Sequence, residues 1–281
     1  MKFRRYFFLS IIVIACFFIF QSQILSRDSG ELSSPLLISE DTQKSENPKI
    51  PIHNITAPDH ELPESQEETQ QPFEDIKPIP SRGKNYSWDE PLMETLSFLQ
   101  SPLPGAKVTT RDSQLPGAPR AYRNGTHEGL DFYSGYCGIP INFGDPVYSA
   151  GPGVIYRIDH DYIETPTEER NELLRISHEL DDTPEEILDM LRGRQVWIIH
   201  PFGVITRYAH LDKVAEELQE GDLVEAGVFI GTIGNSGTSD GANGNTLNPH
   251  LHWEIWIGQN YLGEGLPPSE SRALVQKIMD Q

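Results

Sequence analysis

A chain of 281 residues has room for one substantial domain and further material, and can bury a core without covalent staples. Its 22 basic and 42 acidic residues leave a net charge of −20, which repels phosphate backbones and anionic lipid headgroups and so excludes nucleic acid as a partner. The two cysteines, Cys16 and Cys137, cannot form a disulfide framework.

Lys2, Arg4 and Arg5 precede an apolar run from Tyr6 to Phe20 that is broken only by Ser10, the charge and hydropathy order of a bacterial export signal. The run is shorter than the ~20 residues of a spanning helix, and no small-x-small cleavage site follows it. Residues 1–26 therefore read as an N-terminal signal or membrane anchor, removed or retained. Val13, Ile14 and Ala15 before Cys16 loosely resemble a lipoprotein signal, but the aromatic residues that follow favour a plain apolar cysteine. The protein is expected to be exported to the periplasm or cell envelope, with membrane contact only through this segment. From Arg27 to Glu90 the composition turns to Pro, Glu, Ser and Gln, with 14 acidic and 6 basic residues and 8 prolines, too little apolar surface to offset the entropy of ordering. This stretch, 27–90, reads as a disordered tether about 45 Å across as a flexible coil.

Residues 91–265 read as the main domain. Beyond Pro102 short β-type runs alternate with glycines, at Pro146–Tyr148, Gly153–Ile158, Val196–His200, Val204–Ala209, Val228–Ile233 and Leu251–Ile257, which predicts a mainly β, antiparallel sheet or sandwich. Between Asp159 and Gln195 the pattern turns helical. Thr165-Pro166-Thr167-Glu168 and Thr183-Pro184-Glu185-Glu186 each offer a capping Thr, a first-turn Pro and a capping-box Glu. A helical hairpin over 163–195 is thus expected between two strands. The 12 acidic and 4 basic residues from Asp159 to Gln195 suit a solvated face or a docking point for a regulatory protein, an element the strands would not need in order to fold. A helix from Glu270 to Met279 closes the chain within 266–281.

Seven of the nine histidines fall between His127 and His252. His127 and Asp131 are four apart, and His250, His252 and Glu254 alternate, so an extended chain turns the latter three to one face. Two imidazoles and a carboxylate suit zinc, and three protein ligands leave a fourth position for water, as in catalytic rather than closed structural sites. Spacing alone does not decide which of His250 and His252 would bind. Glu254 reads as a salt-bridging or supporting group, Glu128 as facing solvent, and His200 as structural packing; His53, His60, His160 and His178 read as solvated. No Gly-Lys-Ser/Thr element follows a strand, so a phosphate-binding loop is excluded.

Taken in order, His127-Glu128-Gly129-Leu130-Asp131, Gly144 to Ile155, Tyr208-Ala209-His210-Leu211, Gly221 to Gly227, Gly234-Asn235-Ser236-Gly237 and Pro249 to Glu254 resemble the motif series of the lysostaphin-type, LytM-like zinc endopeptidases. The resemblance runs from about Pro102 to Gly258. It implies one zinc held by His127, Asp131 and His252, with His210 and His250 as the catalytic histidines that do not bind it, and a reaction that hydrolyses peptide bonds in the stem peptides or cross-links of peptidoglycan. The rival it implies is a non-enzymatic activator or scaffold of other murein hydrolases. Such members usually lose zinc ligands, whereas all five positions are filled here. Two departures stand out. His200-Pro201-Phe202-Gly203 replaces a His-Gly-aromatic-Gly turn, and the loop from Gly234 to Asn248 is long, rich in glycines that permit mobility, and expected to border the substrate groove.

Overall fold

The structure is a computed structural model that describes Trp88 and residues 90–280. The signal and nearly all of the tether lie outside the described residues. Among the described residues no helix is long and apolar enough to cross a membrane.

The chain enters through a short helix, α1 (Glu90–Thr95), then forms β1 (Pro119–Arg120), β2 (Gly125–Thr126), β3 (Leu130–Tyr133), β4 (Pro146–Tyr148) and β5 (Gly153–Ile158). Two helices follow, α2 (Thr167–His178) and α3 (Glu185–Arg192). Next come β6 (Val196–Ile199), β7 (Val204–Ala209), β8 (Leu211–Val214), β9 (Leu223–Val224) and β10 (Phe229–Ile233). The single turn α4 (Ser239–Ala242), β11 (His250–Ile257), β12 (Asn260–Tyr261) and α5 (Pro268–Met279) complete it. All pairings are antiparallel. The larger sheet runs β12-β11-β7-β6-β5-β9, with β3 also paired to β11, and a second sheet runs β4-β10-β8.

The expected runs are strands within a residue or two, and the mainly β class is as expected. The pattern behind β11 shows why. Leu251, Trp253, Ile255 and Ile257 alternate into the core while His250, His252 and Glu254 take the other face. The core joins apolar residues of both sheets, among them Phe132, Val147, Tyr208 and Ile230, and is covered by Leu96 of the α1 turn and by Leu274, Val275 and Ile278 of α5. Composition hid α1, which begins at Glu90, the last residue of the stretch expected as tether, and runs into the expected domain. Strands β1, β2, β9 and β12 have only two residues each, too few to show a period.

The insert corrects two expectations. Its helices start one residue later than the capping signals suggest, with Pro166 and Pro184 at the N-cap and no side-chain cap on either. Thr183 is diverted: its Oγ1 lies 2.8 Å from the carbonyl of Arg123 and accepts from Arg123 Nη1 at 2.9 Å. A long-range contact here outbids a local one. The insert is also fastened to the rest of the domain. Ser177 Oγ also meets the Arg123 carbonyl, Gly237 N–H donates to Glu164, and Thr167 Oγ1 donates to the carbonyl of Ala242 at 2.9 Å. Gly193, at φ 69°, passes so close to Ser236 that a Cβ there would stand 2.4 Å from its backbone. The same contacts fasten the Gly234–Asn248 loop, which the glycines alone had suggested would be free.

Candidate metal centre

Strand register gathers the site. His252 of β11 pairs with Asp131 of β3 on one side and Ala209 of β7 on the other, so the residue after β7, His210, arrives beside it. Gly129 makes the approach possible, since a Cβ there would lie 2.6 Å from the Trp253 carbonyl and 2.9 Å from the His252 ring. His210 itself turns the chain at φ 61°, the left-handed region that a non-glycine residue seldom occupies, at the corner where β7 leaves one sheet and β8 enters the other.

Three buried donors converge. His127 Nε2 lies 3.0 Å from Asp131 Oδ1 and 2.9 Å from His252 Nδ1, and His252 Nδ1 lies 2.8 Å from the same carboxylate oxygen. The far nitrogen of each ring is occupied: His127 Nδ1 donates to the Leu115 carbonyl at 2.9 Å and His252 Nε2 donates to Glu254 Oε1 at 2.8 Å. Each ring is thereby oriented with its other nitrogen toward the centre, the arrangement by which metal-binding histidines are fixed. Around a tetrahedral ion with bonds of roughly 2.0–2.1 Å, donor atoms stand about 3.3 Å apart. The observed triangle is a few tenths of an ångström tighter, so a small outward movement seats an ion, and the donor set suits one.

The electrostatics also call for positive charge. Burial works against the charged ring of His252, but Asp131 and Glu254 on either side outweigh it and lift its pKa to about 9. Burial likewise opposes ionisation of Asp131, yet His127 and His252 hold its carboxyl well below the usual range. His127 is pushed down to about 4, chiefly by burial.

The other two histidines border this cluster. The rings of His210 and His250 are 4.7 Å apart and those of His210 and His252 5.6 Å apart. His210 Nδ1 donates to the Ser236 carbonyl at 2.7 Å, which leaves Nε2 as a free acceptor. His250 stacks on Tyr133 with centroids 4.0 Å apart, its Nδ1 donates to the Asn248 carbonyl at 3.0 Å, and the Tyr133 hydroxyl oxygen lies 3.1 Å from its Nε2. Burial lowers the pKa of both, which favours the neutral ring. The five residues open onto a cleft of about 830 Å³.

The sequence reading of Glu128 needs correction. Its carboxylate does not face solvent but pairs with Arg192, and burial together with the nearby charge of Glu254 raises its pKa to about 7. Glu254 has the supporting role expected of it: beyond His252 it receives Arg192 Nε at 2.7 Å, Trp256 Nε1 at 2.5 Å and Arg207 Nη1 at 3.4 Å. His200 is structural, with Nδ1 donating to the Pro152 carbonyl at 2.8 Å and Nε2 2.7 Å from Thr206 Oγ1. Three contributors escaped the sequence. Tyr133 was findable, since it shares a strand face with Asp131 two residues earlier. Arg120, whose Nη2 donates to Asp131 Oδ2 at 3.2 Å, and Arg192 carry no local signal, because each reaches the site only through the fold.

Residues 184–263 match the sequence model of peptidase family M23. This segment is similar to the M23 peptidases. The match takes in His210, His250 and His252 and begins inside the insert, at α3; His127 and Asp131 precede it and join through the β3–β11 pairing. Solved structures to which the chain is similar include a zinc-containing peptidase from Vibrio cholerae, 24% identical over 61% of this chain and 41% of that one with a TM-score of 0.38. The catalytic domain of lysostaphin from Staphylococcus simulans is 22% identical over 52% and 78%, TM-score 0.33. The catalytic domain of the prophage-encoded M23 protein EnpA from Enterococcus faecalis is 18% identical over 61% and 95%, TM-score 0.36. The chain thus spans less than half the length of the Vibrio protein it resembles.

Proposed function

We propose that this domain is a zinc-dependent endopeptidase, placed outside the cytoplasm, that hydrolyses peptide bonds in peptidoglycan stem peptides or cross-links. The observation that carries the reading is the inward convergence of His127 Nε2, Asp131 Oδ1 and His252 Nδ1 while both far ring nitrogens are held by acceptors. These three residues would hold the zinc, which when bound supplies Lewis-acid polarisation of the scissile carbonyl and a more acidic water. The chain's own contribution is proton handling and positioning. His210 presents a neutral Nε2 lone pair into the cleft, able to accept a proton from the attacking water and to pass it to the leaving amine. His250, whose Nδ1 N–H is given to the Asn248 carbonyl and whose ring stacks on Tyr133, offers the lone pair of Nε2 to orient that water, and once protonated there could donate to the oxygen that gains negative charge. The substrate is carried over from the motif series and the M23 match.

The test pairs two variants of the domain on purified sacculi, following release of new amino termini alongside bound metal. Wild type is expected to hold about one zinc and to cut; His252→Ala is expected to lose the metal; His210→Ala is expected to keep metal and fold but to lose hydrolysis by about 10²-fold or more. Stoichiometric zinc in His252→Ala overturns the ligand set. Wild-type protein that holds zinc, cuts nothing and stimulates another hydrolase would establish the activator role instead.

A further inference from the structure

The cleft has a sign opposite to that of the protein. In a chain of net charge −20, five arginines line it against three carboxylates, those of Glu128, Asp131 and Glu254. Most of these arginines have partners. Arg120 and Arg192 face the three carboxylates, Arg123 is taken up by Thr183 Oγ1 and the Thr126 carbonyl, and Arg111 lies over the Tyr136 ring at 4.1 Å.

Arg170 differs. It projects from α2, half-buried on the cleft wall, where Nε donates to the Gly237 carbonyl at 2.9 Å and fixes the guanidinium in place. No carboxylate among the described residues comes within 4.0 Å of it. Glu164, whose charge reaches it through space, is itself engaged by the Gly237 N–H and the Tyr162 hydroxyl. Four N–H groups of the fork are thus left without a protein acceptor, in an environment where burial opposes the charge. One turn along the helix Leu174 also lines the cleft, and Leu188 and Leu191 of α3 extend that apolar wall. A half-buried guanidinium beside an apolar strip suits a carboxylate on a short aliphatic backbone, which it can meet through two parallel hydrogen bonds. A positive cleft is also what allows an anionic ligand to approach a protein whose overall field repels it.

We propose that Arg170 is a specificity residue that takes a carboxylate of the bound peptide, so that the cleft selects acidic over neutral peptides. This rests on the peptidase reading above, and binding is measured apart from hydrolysis so that the two fail separately. The probe is a fluorescein-labelled, cross-linked stem-peptide dimer carrying a γ-D-glutamyl residue with a free α-carboxylate, compared with the same dimer amidated at that carboxylate. Fluorescence anisotropy on the full chain should show wild type binding the free acid about tenfold or more tighter than the amide. Arg170→Gln should lose that preference with its affinity for the amide unchanged, and Arg170→Lys, which keeps the charge without the fork, should retain part of it and its salt dependence. Equal affinity of wild type for acid and amide overturns the proposal. So does a drop in Arg170→Gln that is the same for both probes, or a preference that survives in Arg170→Gln. Thermal unfolding of each variant confirms that folded protein is compared. Hydrolysis measured in parallel decides the peptidase reading: selective binding without cleavage overturns that reading and leaves the carboxylate site standing.

Discussion

Replacing Arg192 by Ala should be far more damaging than removal of an ordinary arginine from an acidic surface helix. Its guanidinium is buried and meets three carboxylates: Glu254 at 2.7 Å, Glu185 at 2.9 Å, and Glu128. Exposed pairs of this kind contribute about 0–1 kcal/mol, but Glu254 is only 1% exposed and would be left with Arg207 at 3.4 Å as its sole cationic neighbour apart from the His252 ring. Removing one partner of a buried pair costs about 3–5 kcal/mol. At about 2–4 °C per kcal/mol for a domain of this size, the melting temperature should fall by about 6–20 °C. The measurement is thermal unfolding by circular dichroism after chelation, so that bound metal does not add to the stability of either protein. The decisive variant is Arg192→Ala combined with Glu254→Gln. If the cost is that of an abandoned charge, neutralising Glu254 returns a substantial part of it, and the double variant is more stable than the sum of the single effects predicts. Strict additivity, or a loss below about 1 kcal/mol for Arg192→Ala, would refute the account.

Replacing 163–195 by a short Gly-containing turn should leave a cooperatively folding sheet, because the core cluster contains none of the insert's apolar residues. It should also weaken zinc binding and expose the loop from Gly234 to Asn248 to limited proteolysis; unchanged metal affinity and protease resistance would show that the insert supports neither. His200 supplies a pH test: burial pushes its pKa from 6.5 down to about 4, so the unfolded chain binds its proton more readily and stability should be lost as pH falls from 6.5 toward 4. The ceiling on this effect is roughly 3 kcal/mol, and His200→Gln, compared as chemical-denaturation free energies across that window, should show a flatter profile whatever its absolute stability; parallel profiles would show that His200 does not titrate as described.

What the sequence revealed and what it hid follow from the range of the forces involved. The period-2 pattern of β11 exposed both a core strand and the shared face of His250, His252 and Glu254, because alternation is a property of consecutive residues. The expectation that Glu254 supports rather than catalyses came from the same pattern and agrees with its four partners. Glu128 was misjudged because it follows His127 outside any regular strand, so alternation did not apply, and the arginine that claims it lies 64 residues away. Thr165 and Thr183 looked like helix caps because local chemistry favours that use, but a buried carbonyl at Arg123 offered Thr183 a better bond. The five candidate site residues were legible as a motif series. The insert's part in the site was not, since acidic composition describes its solvent face and says nothing about Arg170 and Arg192, which line the cleft.

If His127, Asp131 and His252 hold the proposed ion, the pairing of β3 with β11 ties recognition of the correct fold to its acquisition. In that ladder Asp131 stands opposite His252 while Phe132 stands opposite Leu251, so donor faces donor and core faces core in alternate rungs. A slip of one residue would reverse every side chain, burying Asp131 where Phe132 belongs and dispersing the three donors. Only one alignment of two strands, remote in sequence, brings the three donors together, and chains that misalign them would gain nothing from an ion. Metal capture by these residues would act as a late proofreading step in folding, rewarding the register that also closes the core.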